Sequence, residues 1–432
     1  MGGSGSAGDA TEPPLKAFHD VVAASGVIIV CGSGGVGKTT AAAAIALGAA
    51  QRTPVRVLVL TIDPAKRLAD ALGLKAVGNE ASRVTLGPVA KGELSIAMLD
   101  TSASWDDLVR ANAPDASTAD KILLNPLYRN ITQRFVQSHD YIAMERLYEL
   151  RAAGDYDLIV IDTPPSRHAL DFLDAPSRMA DFFSSTLLKW ITLPYRIGGE
   201  RAGRLGYLAS RPFYQIADRI LGSDFLRDIA EFFLLFQSMY GGFVQRADAV
   251  SALLREPTTT FVVVSTLEPA PLSEAEFFLN ELERRKLLVG AMVLNRTLPP
   301  VFDNPDAVAS ARQLAHGGVG GVGGVGGEDR TGTGAVAVSV ELARARKAVG
   351  ETFLRFASIA ESQTSQQLRL ARHPDVVLRV PLMDRPIVDL EALSGVVEHL
   401  WSEGVSIPKT GRRRSSRSAE LTTRKKPRSA SS

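Results

Sequence analysis

Val27-Ile28-Ile29-Val30-Cys31-Gly32-Ser33-Gly34-Gly35-Val36-Gly37-Lys38-Thr39-Thr40 is the stretch on which the reading of this chain turns. A short β-branched run meets a glycine-rich turn, and an alanine-rich run from Ala41 to Ala50 follows. The order is strand, loop, helix. Gly32, Gly37, Lys38 and Thr39 satisfy G-x-x-x-x-G-K-[ST], the spacing of a phosphate-binding loop. Gly34, Gly35 and Val36 lie inside that loop, where glycine lets backbone amides converge on an anion. Lys38 is placed to neutralise β/γ oxygens, Thr39 to hold Mg²⁺, and Thr40 to continue the first helical turn, whose partial positive charge adds to the site. Gly32, Gly34 and Gly37 also satisfy G-x-G-x-x-G, with Asp63 ending the next strand as a ribose-binding acid would. That dinucleotide reading leaves Lys38-Thr39 without a role, so the triphosphate reading is preferred.

The 432 residues are 45% hydrophobic and 22% charged, which suits one large α/β unit or two smaller ones. The single cysteine, Cys31, excludes an intrachain disulfide and any Cys-x-x-Cys metal site, and points to a reducing compartment. No uninterrupted apolar run reaches the roughly 18 residues of a span, and the richest candidate, Phe225 to Phe236, is broken by Arg227, Asp228 and Glu231. The expected location is cytoplasmic, with attachment to the inner face of a membrane as the one variation. The net charge of +2 hides a basic tail. From Lys409 onward there are nine Lys or Arg and one acid, Glu420; 40 basic and 46 acidic residues remain in the body.

Outward from the loop, Arg56 to Thr61 reads as a second strand ending in Ile62-Asp63-Pro64-Ala65, and Leu94 to Leu99 as a third. Residues 102 to about 152 read as helices, with breaks near Asn112 to Ala116 and at Gly154. Asp157 to Asp162 is a buried strand with a carboxylate at its C-terminal end. Further strands are expected at Thr260 to Ser265, Gly290 to Asn295 and Val376 to Val380. Continuous Val/Ile/Leu runs alternating with helices imply an α/β fold, a doubly wound and mostly parallel sheet covered on both faces. Ligands of such sheets sit beyond the carboxyl ends of the strands, the edge to which Gly32 to Gly37, Asp63 and Asp162 belong.

Domain boundaries follow from composition. Residues 1–14 read as a disordered head, 15–402 as one ATPase domain, and 403–432 as a disordered basic tail. Residues 177–254 show no strand pattern and hold eight of the 17 Phe, which marks an inserted helical subdomain. Residues 317–334, built on Gly-Gly-Val repeats, read as a low-complexity loop before a helix beginning near Val338. The tail has no aromatic residue to stack on bases, so no specific nucleic-acid binding is expected.

The triphosphate chemistry needs three strand ends. Asp162 has the position of an acid that holds Mg²⁺ directly or through water, and Asp63 is placed to orient or deprotonate the attacking water. Read together, these motifs resemble those of the arsenite-pump (ArsA) and tail-anchored-protein-targeting ATPases, within the deviant P-loop class. Gly32 to Thr40 resembles the family's G-K-G-G-V-G-K-T-T, Thr61 to Ala65 its T-D-P-A switch, and Asp162 to Leu170 its D-T-A-P-T-G-H-T-L switch. Asn295 resembles the family's adenine-contacting Asn, and Pro381-Leu382 its late nucleotide-side segment. The resemblance implies ATP and Mg²⁺ as cofactors, slow hydrolysis, a dimer that closes and opens, and a hydrophobic or membrane-associated client. One departure stands out: Ser33 occupies the place of the family's signature lysine. That implies either a homodimer lacking the lysine or a heterodimer with a paralogue that keeps it. Two other classes stay open, a weakly hydrolysing regulatory subunit and a positioning ATPase like ParA or MinD.

Overall fold

The computed structural model describes residues 17–62, 78–125, 128, 136–163, 232–235, 240–316, 333–370 and 374–402. Its framework is one eight-stranded sheet of order β3-β4-β2-β5-β1-β6-β7-β8. The strands are β1 (Val27–Cys31), β2 (Arg56–Thr61), β3 (Ser82–Arg83), β4 (Glu93–Met98), β5 (Leu158–Asp162), β6 (Thr259–Thr266), β7 (Val289–Thr297) and β8 (Val376–Pro381). Every pairing is parallel except the short edge pair β3 with β4. The expected doubly wound parallel sheet is therefore present. The two-residue β3 was not foreseen, because it is too short to carry an alternating pattern.

Parallel strands buried on both faces need apolar side chains in both directions, and β1, β5 and β6 are buried at every position. Alternation along β1 then splits the core. Val27, Ile29 and Cys31 face one layer, shared with the helices α3 (Thr101–Asn112), α4 (Ala116–Leu124), α5 (Val136–Ala153), α6 (Tyr240–Leu254) and α7 (Pro269–Arg284). Ile28 and Val30 face the other, shared with α1 (Phe18–Ala23), α2 (Lys38–Arg52) and α10 (Leu390–Trp401). The alanines of α2 let it lie close to the sheet, and Gly48 lets Trp401 of α10 approach. A Cβ on Gly48 would come within 2.4 Å of the Trp401 ring. Three helix starts away from the loop are capped by carboxylates: Asp100, Asp115 and Asp389 each accept an amide from the first turn of α3, α4 and α10.

After β7 a 3₁₀ turn, Pro300–Asp303, leads into α8 (Pro305–Ala315), and α9 (Thr333–Arg369) then runs 37 residues, about 55 Å at 1.5 Å per residue. It begins at Thr333, earlier than the sequence pattern suggested, so the last two residues of the expected loop 317–334 are helical. The Ala/Val run after them favours helix continuation over a loop. Gly350 of α9 is where α8 crosses: a Cβ there would lie 2.6 Å from the Ala311 carbonyl oxygen. Phe302 stacks beside Phe353 and Phe356, with ring centroids 4.9 and 5.3 Å away.

Of the expected helical subdomain 177–254, residues 232–235 and α6 are described and helical. Phe232 is buried in the sheet's helical layer with Phe233 packed edge-on at 5.1 Å. The remainder of that subdomain, including Phe182, Phe183, Trp190 and Phe236, lies outside the described residues, as do the head, the loop 317–332 and the tail. No helix among the described residues is long and apolar enough to cross a membrane.

Candidate nucleotide site

The sheet register gathers the sequence-selected residues at one edge. Val30, the last residue but one of β1, is level with Asp162, which is level with Thr61 on its other side. On the opposite flank Thr266 is level with Asn295, Asn295 with Val380, and Thr297 with Pro381. Gly32 to Gly37 spring from the centre of this row.

Two glycines of the loop are required by geometry. Gly32 has φ +152°, and a Cβ there would sit 2.1 Å from the Val264 carbonyl oxygen. Gly37 has φ +97°, and a Cβ would meet the Asn295 amide nitrogen at 2.2 Å. Gly37 is also the N-cap of α2 and supplies no side-chain acceptor, unlike the aspartates at α3, α4 and α10. The first amides of α2 are thereby left for an anion. Gly34 and Gly35 are exposed and Val36 is buried, which anchors the loop by one apolar side chain.

Lys38 is buried at 6% exposure, and its Nζ donates to the Ser33 carbonyl oxygen at 3.0 Å, arching back over the loop. Thr39 donates its hydroxyl to Asp162 Oδ2 at 2.6 Å. Thr61 donates to the same oxygen at 3.3 Å. Asp162 is 1% exposed, so a buried carboxylate held by two hydroxyls lies directly beneath the loop. Thr163 ties the next residue down by donating to the Val30 carbonyl at 2.9 Å. Thr61 is a contributor that the sequence reading passed over; only the register of β2 with β5 reveals it. Asn295 donates its amide to the Val36 carbonyl at 2.7 Å, fastening β7 to the loop. Pro381 sits beside it, where the following Leu382 amide donates to the Thr297 carbonyl at 2.9 Å.

Burial pushes the Cys31 thiol well above its ordinary range although Lys38 pulls the other way, so this cysteine is a packing residue and not a nucleophile. Ser33 has its hydroxyl oxygen buried, with no hydrogen-bond partner among the described residues. Asp63, with the second-switch residues 164–170, lies outside the described residues. What is assembled is an amide-lined loop, a buried ammonium and a Thr–carboxylate pair, the donor set that a hydrated divalent cation and a triphosphate need.

Residues 25–194 match the family model of the anion-transporting ATPases of ArsA type. The ATPase GET3 of Rhodotorula glutinis is 28% identical over 303 residues, covering 69% of this chain and 77% of that protein. The ATPase GET3 of Kluyveromyces lactis is 28% identical over 292 residues, covering 65% and 74%. That of Malassezia globosa is 26% identical over 309 residues, covering 68% and 78%. The phosphate loop, the sheet order and these likenesses agree: over residues 25–194 the chain resembles the anion-transporting ATPases of ArsA type, and over about two thirds of its length the GET3 ATPases.

Proposed function

We propose that this ATPase binds Mg·ATP at the loop 32–40 and couples slow hydrolysis to the handling of a hydrophobic or membrane-associated client. The observation that carries the nucleotide part is the 2.6 Å bond from Thr39 to the buried Asp162, formed beneath an uncapped helix start. Thr39 and Asp162 would hold the cation, which supplies charge neutralisation between the β and γ oxygens. Lys38 exchanges the Ser33 carbonyl for phosphate oxygens, and the loop amides take the remaining phosphate lone pairs. Asp63 follows two residues after Thr61 in the chain, Thr61 being the residue level with Asp162, and is assigned to the attacking water.

The family resemblance supports a dimer and a client; the aromatic content of 177–254, proposed as an inserted helical subdomain, supports an apolar one. A cytoplasmic site of action suits a single buried cysteine. A second reading, a weakly hydrolysing partner of a lysine-bearing paralogue, is favoured by Ser33, an uncharged residue whose hydroxyl has no hydrogen-bond partner among the described residues. The test is ATP binding and turnover by the purified full chain with and without Mg²⁺, together with photocrosslinking to a single-span apolar peptide in ATP and ADP. Nucleotide-independent crosslinking would sink the client reading; failure to bind Mg·ATP would sink the whole.

A further inference from the structure

At β7 the register with β8 slips by one residue between Asn295 and Thr297, and the residue left over is Arg296. Its φ is +55°, in the left-handed region that strains an L-residue carrying a Cβ. One other non-glycine among the described residues shares that feature, Lys286 at +59°, and its reason is local. Lys286 closes the end of α7, with its amide on the Glu283 carbonyl and the Leu287 amide on the Leu282 carbonyl. Arg296 ends no helix. A bulge beside a site re-aims side chains, and this one does so visibly. The Arg296 amide donates to Asn295 Oδ1 at 2.9 Å, which turns the Asn295 amide nitrogen onto the Val36 carbonyl at 2.7 Å.

The same turn leaves Arg296 exposed on the sheet edge that carries the loop, one residue from a side chain that touches it. The two arginines of strands β2 and β3 are engaged: Arg56 pairs with Asp157 at 3.0 Å and Arg83 with Glu93 at 2.6 Å. The Arg296 guanidinium has no ion-pair partner among the described residues. A strained backbone, a bulge and an unspent cation coincide at the position where the loop is fastened to the sheet. We propose that Arg296 is a nucleotide-binding residue that engages the nucleoside end of the bound ATP, its ribose and base, which Lys38 and Thr39 do not serve. Asn295 fastens to Val36, while Lys38 and Thr39 attend to the β and γ oxygens, so the flank at β7 belongs to the nucleoside end.

This inference rests on the Mg·ATP reading above. The experiment titrates the full chain with a fluorescent ATP analogue in Mg²⁺ and displaces it with ATP or with inorganic tripolyphosphate. Arg296→Gly is the informative variant, because glycine accepts the left-handed backbone and keeps the amide that orients Asn295. The expected result is unfolding at or above the wild-type denaturant midpoint, with ATP affinity reduced about tenfold, the loss of one charge-assisted contact. Tripolyphosphate affinity should change less than about twofold, since it lacks the nucleoside end. Arg296→Lys, which keeps the charge, should recover most of the loss. Wild-type ATP affinity in Arg296→Gly overturns the inference, and so does an equal loss toward tripolyphosphate. Absence of ATP binding in the unaltered chain overturns the Mg·ATP reading itself, and this inference with it.

Discussion

In the proposed reading Lys38, Thr39 and Asp63 divide the work of the site between holding and turning over, and substitution should separate the two. Lys38→Ala removes the only buried ammonium of the loop and should reduce Mg·ATP affinity by 100-fold or more, at about 1.4 kcal/mol per decade. Asp63→Asn keeps size and removes the base, so nucleotide should bind while turnover falls by roughly 10² to 10⁴. Equilibrium binding beside single-turnover hydrolysis checks both, and wild-type turnover in Asp63→Asn would remove Asp63 from the chemistry. Gly37→Ala tests the backbone. Its φ of +97° and the 2.2 Å approach to Asn295 mean that a methyl group strains the loop and displaces the side chain that fastens it. About 1–2 kcal/mol of stability should be lost, with nucleotide affinity lost in parallel. Retained affinity would show that the Asn295 contact is dispensable.

At the scale of elements, the longer strands were legible because each is a run rich in apolar residues, in two cases with a polar residue of the site at or near its end. Asp162 and Asn295 both announce the sheet's carboxyl edge in this way. What stayed hidden depends on pairing between distant segments. Thr61 became a site residue only through its register with Asp162, and Arg296 only through a bulge that no local pattern encodes. The pair Glu145–Arg246, joining α5 to α6, is hidden in the same sense, since its members are a hundred residues apart and each alone reads as surface charge. Glu145 is 3% exposed, and burial raises its carboxyl pKa above the ordinary range while Arg246 and Tyr141 pull it down. Arg246→Met removes the first of these opposing groups and leaves a buried carboxylate without its cation, at a cost of about 3 kcal/mol. The sign of the pH effect follows. An acid whose folded pKa is raised favours the fold while protonated, so stability of Arg246→Met should decline as pH rises from about 5 to 8. Urea midpoints across that range measure it. A flat profile, or one unchanged by adding Glu145→Gln, would mean that the charge is solvated.

For the whole molecule the deciding residue is Ser33. The family resemblance places there a lysine that reaches the phosphates of a facing subunit, and a serine is both too short and uncharged. Its hydroxyl is buried with no hydrogen-bond partner among the described residues, so nothing local explains the choice. Charge supplied across an interface at phosphoryl transfer is worth roughly 10³ to 10⁵ in rate. Two copies of this chain alone should therefore form a poor ATPase. If the working unit pairs this chain with a lysine-bearing paralogue, turnover becomes asymmetric. The partner's lysine completes the site built on Lys38 and Asp63, whereas Ser33 leaves the partner's own site incomplete. Ser33→Lys should then raise the rate of the purified chain by at least about tenfold, with the gain growing with protein concentration as two copies associate. A concentration-independent gain would place the new lysine's action within one subunit. Fast hydrolysis by the unaltered chain, with no gain from Ser33→Lys, would remove the need for a paralogue and make this chain a self-sufficient enzyme.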